Sequence, residues 1–194
     1  DSPVGLDRPS HRLADDAPLA GVASVASFFL SRIDTHVDRM LDHAGDEAAR
    51  ALRGQAAIAC ARLAYQEYKA LTADLRWQML AAHGVSPQRL LWASTSTKDR
   101  AYHDLKYVEA LIGPETVNTL TPETLAAYRD HGEPAKRLEE DLDMARALPE
   151  RLAALGVDLE AASAELEHQG IQKFIGSYDR LHAALGGREM PRAK

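Results

Sequence analysis

The chain has 194 residues, 45% of them apolar, with 23 cations against 29 anions for a net charge of −6, and one cysteine. That length and apolar content suit a globular chain with one substantial core, while the acidic balance gives no basis for a nucleic-acid or membrane partner. A lone cysteine excludes an internal disulfide and fits a reducing, cytoplasmic compartment, and no apolar run reaches the ~20 residues that span a bilayer.

Residues 1–19 carry Pro3, Pro9 and Pro18, several aspartates and no apolar periodicity, and read as an arm or loop ahead of one unit over residues 20–194. Val22 to Ile33 (VASVASFFLSRI) holds no charge before Arg32 and suits a strand buried on both faces. Asp46 to Ala73 reads as one long helix, with leucine, isoleucine and alanine at three- and four-residue steps. Cys60 falls in its alanine-rich stretch and reads as a small buried residue, since nothing nearby in sequence activates a thiol. A shorter helix covers Leu75 to Ala82 and stops at Gly84.

The next run changes character abruptly. Arg89 to Ala93 is apolar and strand-like, whereas Ser94 to Lys98 holds four small hydroxyls and one cation. A β-strand whose C-terminal end meets such a loop is where barrel enzymes place substrate groups, phosphates above all. The strand itself reads as Leu90 to Thr95. Tyr102 to Ile112 then reads as a helix closed by Gly113-Pro114, and Thr116 to Leu120 as a third strand. Thr121 is a good N-cap with Pro122 behind it, opening a helix that His131-Gly132 stops. Leu138 to Leu155 and Leu159 to Leu185 are amphipathic helices, with breaks expected at Gly156, Gly170 and Gly186.

Strands alternating with helices predict a parallel α/β sheet. Only three strands are found, and a closed barrel of parallel βα units needs eight. Three alone expose two apolar edges that invite pairing with another chain. With Asp1 in place of an initial methionine, the chain reads as part of something larger.

Several of these segments resemble the second half of transaldolase in its longer bacterial form. They are Val22 to Asp34, Leu91 to Lys98, Leu111 to Thr119, Asp130-His-Gly132 and Gln172-Lys-Phe174, spread over residues 18–187. The resemblance implies a partial (β/α)8 TIM barrel, namely its last three βα units plus C-terminal helices. It further implies transfer of a dihydroxyacetone unit between sugar phosphates in the pentose phosphate pathway, through a lysine Schiff base. That lysine and the proton-handling carboxylates belong to earlier strands, which this chain lacks. The chain is therefore expected to supply the phosphate-binding wall and to be inactive alone. Its expected partners are a sugar phosphate and either the N-terminal half of a barrel or a second copy of itself. The rival reading is a non-catalytic half barrel that binds sugar phosphate or serves as an interaction module. Neither reading carries a cofactor or a metal.

By the same resemblance, Arg32, Ser94 and Lys98 are the phosphate-binding candidates, with Ser96, Asn118 and Thr119 as pocket lining. The arginine fork takes phosphate oxygens two at a time, and lysine serves as a compact point charge. The competing roles are an ion pair of Arg32 with Asp34 or Asp38, capping by Ser94, and a surface or imine-forming Lys98. Ser96 departs from the family, which usually carries glycine there, so a different backbone angle is expected. Lys69, Lys106, Lys136 and Lys173 read as solvated cations on polar helical faces. Asp34 and Asp38 would share a helical face with His36 nearly opposite, which argues against a metal set. His103, Asp104 and His131 read as surface or helix-terminal residues, and Trp77, Trp92, Tyr107 and Phe174 as core.

Overall fold

The run VASFF forms strand β1 (Val25–Phe29), and the chain turns directly from it into helix α1 (Leu30–Ala44). The expected strand over Val22 to Ile33 is thus five residues long. The reason lies in spacing: Leu30, Asp34, Val37, Asp38 and Leu41 are all buried on one face of α1, a helical period that a strand cannot bury together. Arg32 consequently stands in the first turn of a helix and not at a strand end. The computed structural model describes residues 22–185, so the expected arm over residues 1–19 lies outside the described residues.

The expected single helix from Asp46 is two helices, α2 (Glu47–Leu52) and α3 (Ala56–Ala73). Asp46 caps α2 by accepting the Ala49 N–H at 2.6 Å. The interruption is Gly54, whose φ of +69° suits glycine, and where a Cβ would lie 2.5 Å from Lys106 Nζ and 2.7 Å from Tyr102 Cζ. Helix α4 (Leu75–Ala82) follows, capped by Asp74, and leads to strand β2 (Arg89–Ala93). Helix α5 (Lys106–Ala110) is shorter than the Tyr102 to Ile112 expected. Upstream, Asp99 accepts the Ala101 N–H at 2.9 Å and His103 the Leu105 N–H at 3.3 Å, local bonds that compete with helix formation.

Strand β3 (Thr116–Asn118) precedes α6 (Pro122–His131), whose Thr121 cap and leading proline stand as expected. Helix α7 (Leu142–Ala153) starts four residues later than Leu138, because Asp141 sits at its N-cap with φ +49°. Helix α8 (Leu159–Ala184) runs straight through Gly170, where a break was expected.

All three strands are parallel, in the order β1-β2-β3. Small parallel sheet plus flanking helices is the arrangement of a partial TIM-barrel-like α/β domain. One core cluster joins α1, α2, α3 and α7 through Val37, Leu41, Leu52, Ala56, Leu148 and Leu152. A second backs the sheet with Leu30, Tyr65, Trp92, Tyr107 and Leu138. Trp92 meets Phe28 edge to face at 5.9 Å between ring centroids, and its Nε1–H donates to the Leu111 carbonyl at 3.1 Å.

Trp77, Trp92 and Tyr107 are buried as expected, but Phe174 is 68% exposed. It stands with Ile171, Ile175, Tyr178 and Leu181 on an uncovered apolar stretch of α8. Burial of β1 on both faces is likewise not met, since Val25 is 42% exposed. No helix among the described residues is long and apolar enough to cross a membrane.

Candidate functional site

Register decides what the strand ends bring together. Phe29 pairs with Ala93 and Trp92 with Asn118, so the C-terminal ends of all three strands lie along one edge. Arg32 follows β1 there, Ser94 to Lys98 follow β2, and Asn118 and Thr119 close β3. The junctions are stitched to each other. The Ser31 N–H donates to the Ser94 carbonyl at 3.1 Å. Thr119 donates to the Trp92 carbonyl from both its N–H, at 2.9 Å, and its Oγ1, at 3.0 Å. Buried Thr95 donates from Oγ1 to the Thr119 carbonyl at 2.6 Å.

Ser94 holds φ +55°, a left-handed conformation uncommon for a residue with a Cβ. The backbone irregularity expected at Ser96 thus occurs two residues earlier, and Ser96 is outside the positive-φ set. Its hydroxyl instead accepts from Lys98 Nζ at 2.8 Å. Arg32 is exposed, with its guanidinium 4.8 Å from the Phe29 ring centroid. Neither Asp34 nor Asp38 pairs with it among the described residues, which leaves the ion-pair alternative without support. Asn118 Oδ1 is buried and has no hydrogen-bond partner among the described residues.

Lys98 also lines an open cleft of about 550 Å³, together with Arg39, Arg53 and Arg100 and the acids Asp42 and Asp99. Arg32 does not line this cleft. Its floor is a polar cluster that the sequence reading missed. Asp34, with a 2% exposed side chain, accepts from the Ala57 N–H at 2.8 Å, from Lys106 Nζ at 2.7 Å and from the Tyr107 hydroxyl at 2.8 Å. Asp38 accepts from the Gly54 N–H at 2.7 Å and from the Tyr102 hydroxyl at 2.5 Å. Lys106 Nζ lies 3.8 Å from the Tyr102 ring centroid and 4.8 Å from that of Tyr107.

Lys106 is therefore no solvated cation on a polar face, because its side chain is 15% exposed and ion-paired. One signal could have found it. Two aspartates four residues apart on the stripe of Leu30, Val37 and Leu41 must be buried, and buried carboxylates require donors. The same engagement removes Asp34 and Asp38 from any metal set with His36.

Burial dominates the electrostatics of this cluster. Desolvation holds the Asp38 carboxyl above the usual carboxylate range, despite its bonds from Tyr102 and Gly54. It also pushes both tyrosine hydroxyls up, helped by Asp38 at Tyr102 and by Asp34 at Tyr107. At the rim the order reverses: Asp99 is held below the usual range, first by the Ala101 N–H and then by Arg53. Cys60 is pushed up to about 11 by burial, which favours the inert thiol over the reactive thiolate.

A small parallel sheet flanked by helices, with hydroxyl and cationic residues in the loops at its C-terminal edge, is the α/β arrangement of a partial TIM-barrel-like domain. The chain belongs to the transaldolase/fructose-6-phosphate aldolase family, whose profile matches residues 10–185. It is similar to the transaldolase of Thiobacillus denitrificans, 50% identical over 175 residues that cover 90% of this chain and 49% of that protein. A transaldolase of Frankia alni is 49% identical over 84% of this chain and 44% of its own length. Transaldolase 2 of Nostoc punctiforme is 45% identical over 93% of this chain and 50% of its own. The chain thus spans about half the length of the curated relatives it matches.

Proposed function

We propose that this chain supplies the phosphate-binding wall of a transaldolase-type site, acting in dihydroxyacetone transfer between sugar phosphates. The imine-forming lysine then comes from strands outside this chain. The observation that carries the reading is the shared edge: aligned strand ends put Arg32, the Ser94 to Lys98 loop and the Asn118-Thr119 pair at one end of the sheet. Strained Ser94 supports it, since left-handed non-glycine residues cluster at ligand-binding turns. So does the unpartnered Oδ1 of Asn118, a buried acceptor that a ligand hydroxyl would satisfy.

In this reading Arg32, Ser94 and Lys98 hold the phosphate, while Ser96, Asn118 and Thr119 line the pocket. Charge-assisted bonds to phosphate contribute about 1.5–3 kcal/mol each. Arg32→Ala and Lys98→Ala should therefore each weaken binding of fructose 6-phosphate by roughly 10–100-fold, read by calorimetric titration at low salt. Both side chains are exposed, so the fold should survive. Unchanged affinity in both variants would remove the assignment.

The partner is proposed to be either an N-terminal half barrel or a second copy of the chain. Two sheet edges are unpaired among the described residues, and the face of α8 with Phe174 and Tyr178 is uncovered. Light scattering of the isolated chain should give more than one chain's mass, and Phe174→Asp should lower it. A monomer at all concentrations would leave the copy-with-copy arrangement without support.

A further inference from the structure

A second polar cluster lies on the surface, apart from the buried acids and from the Ser94 to Lys98 loop. We propose that His103, Asp104 and His131 form a site for a divalent transition metal, Zn2+ by preference, joining the loop before α5 to the last turn of α6. One ligand atom from each of the three lies within 4.8 Å of the others. His131 Nε2 is 3.1 Å from Asp104 Oδ1, and His103 Nδ1 is 3.5 Å from the same oxygen. Tetrahedral zinc with bonds of about 2.0–2.2 Å sets its ligands roughly 3.3–3.6 Å apart. Two of the three separations are already close to that, so small rotations of exposed side chains complete the set.

The surroundings argue for a metal more than for a chance meeting of polar groups. Histidine ligands to zinc commonly give their second ring nitrogen to a carboxylate, which orients the ring. His131 has that arrangement, with Nδ1 3.3 Å from Asp130 Oδ2. The pair leaves Nε2 facing Asp104 and His103. At His103 the Nδ1 lone pair receives only a long bond, 3.3 Å, from the Leu105 N–H. A metal replaces that weak acceptor role.

Two imidazoles with one carboxylate suit zinc, cobalt or nickel and not magnesium or calcium, which prefer all-oxygen sets. Exposure of all three side chains leaves the remaining coordination position to water. Both nitrogens of His131 face carboxylates, Nδ1 that of Asp130 and Nε2 that of Asp104. Zinc takes the unprotonated Nε2, so its affinity falls as the solution becomes more acid. The proposal stands independently of the sugar-phosphate reading.

The test uses the whole 194-residue chain, stripped with a chelator and titrated with Zn2+ by calorimetry, then with Co2+ followed by visible absorption. One equivalent should bind, with a cobalt spectrum of low coordination number. His103→Ala and His131→Ala should each abolish that equivalent, and Asp130→Asn should weaken it by about 10–100-fold. His43→Ala, on a different helix, should leave it unchanged. Circular dichroism of each variant checks the fold. Absence of zinc binding to the parent overturns the site, as does equal binding by parent and the His103→Ala/His131→Ala double variant.

Discussion

Lys106→Met should destabilise the chain by about 3–5 kcal/mol, the cost of leaving a buried carboxylate without its counter-charge. Asp34 has a 2% exposed side chain and retains only the Ala57 N–H and the Tyr107 hydroxyl once the ammonium is gone. Those two bonds solvate the carboxylate but do not neutralise it. The loss should appear in urea unfolding as a lower midpoint at an unchanged slope. Adding Asp34→Asn should recover most of it, because a neutral amide tolerates an apolar neighbour and can still accept from the Ala57 N–H. Removing both partners of a buried pair commonly costs far less than removing one. A cost below about 1 kcal/mol for Lys106→Met would return Lys106 to the solvated surface where its sequence context places it.

That residue also marks where sequence reading stops. The β2 junction was readable because its chemistry changes within two residues, from Trp92-Ala93 to Ser94-Thr95. The Thr121-Pro122 cap was readable because both residues act locally. The start of α1 was not, since VASVASFFLSRI is apolar throughout and an apolar run fits a buried strand or a buried helix. Only the downstream spacing of Asp34, Val37, Asp38 and Leu41 settles it, and two of those four are charged. Lys106 was misread for a related reason. Its counter-ion lies 72 residues away, and no helical period connects them. Gly54 belongs to the same long-range set: it lies between α2 and α3 at positive φ, and a Cβ there would strike Lys106 and Tyr102. At the candidate site, the resemblance proposed the residues. Only the register showed that their strands end together, and only the backbone showed the irregularity at Ser94 in place of Ser96.

Borohydride reduction of the chain in the presence of fructose 6-phosphate should trap no adduct, and a coupled assay on the chain alone should show no transaldolase turnover. Attack on a ketose carbonyl needs an amine that is partly unprotonated, hence an apolar or cationic setting, with a carboxylic acid in reach to shuttle protons. Among the described residues no lysine joins these conditions at a strand end. Lys98 is exposed and donates to Ser96 Oγ. Lys106 is buried enough to invite comparison with an imine-forming residue, yet Asp34 holds its ammonium at 2.7 Å and two tyrosine rings close over it. That amine is engaged by a buried carboxylate and is not free to attack a carbonyl. Lys69 pairs with Glu139 at the surface, and Lys136 and Lys173 are exposed. Intact-mass spectra before and after reduction, with peptide mapping, should therefore be identical, while a full-length transaldolase run in parallel gains the reduced sugar. An adduct mapped to Lys98 would move the chemistry onto the loop after β2; one mapped to Lys106 would require the Asp34 pair to open during catalysis. Either result would end the assignment of this chain to phosphate binding alone.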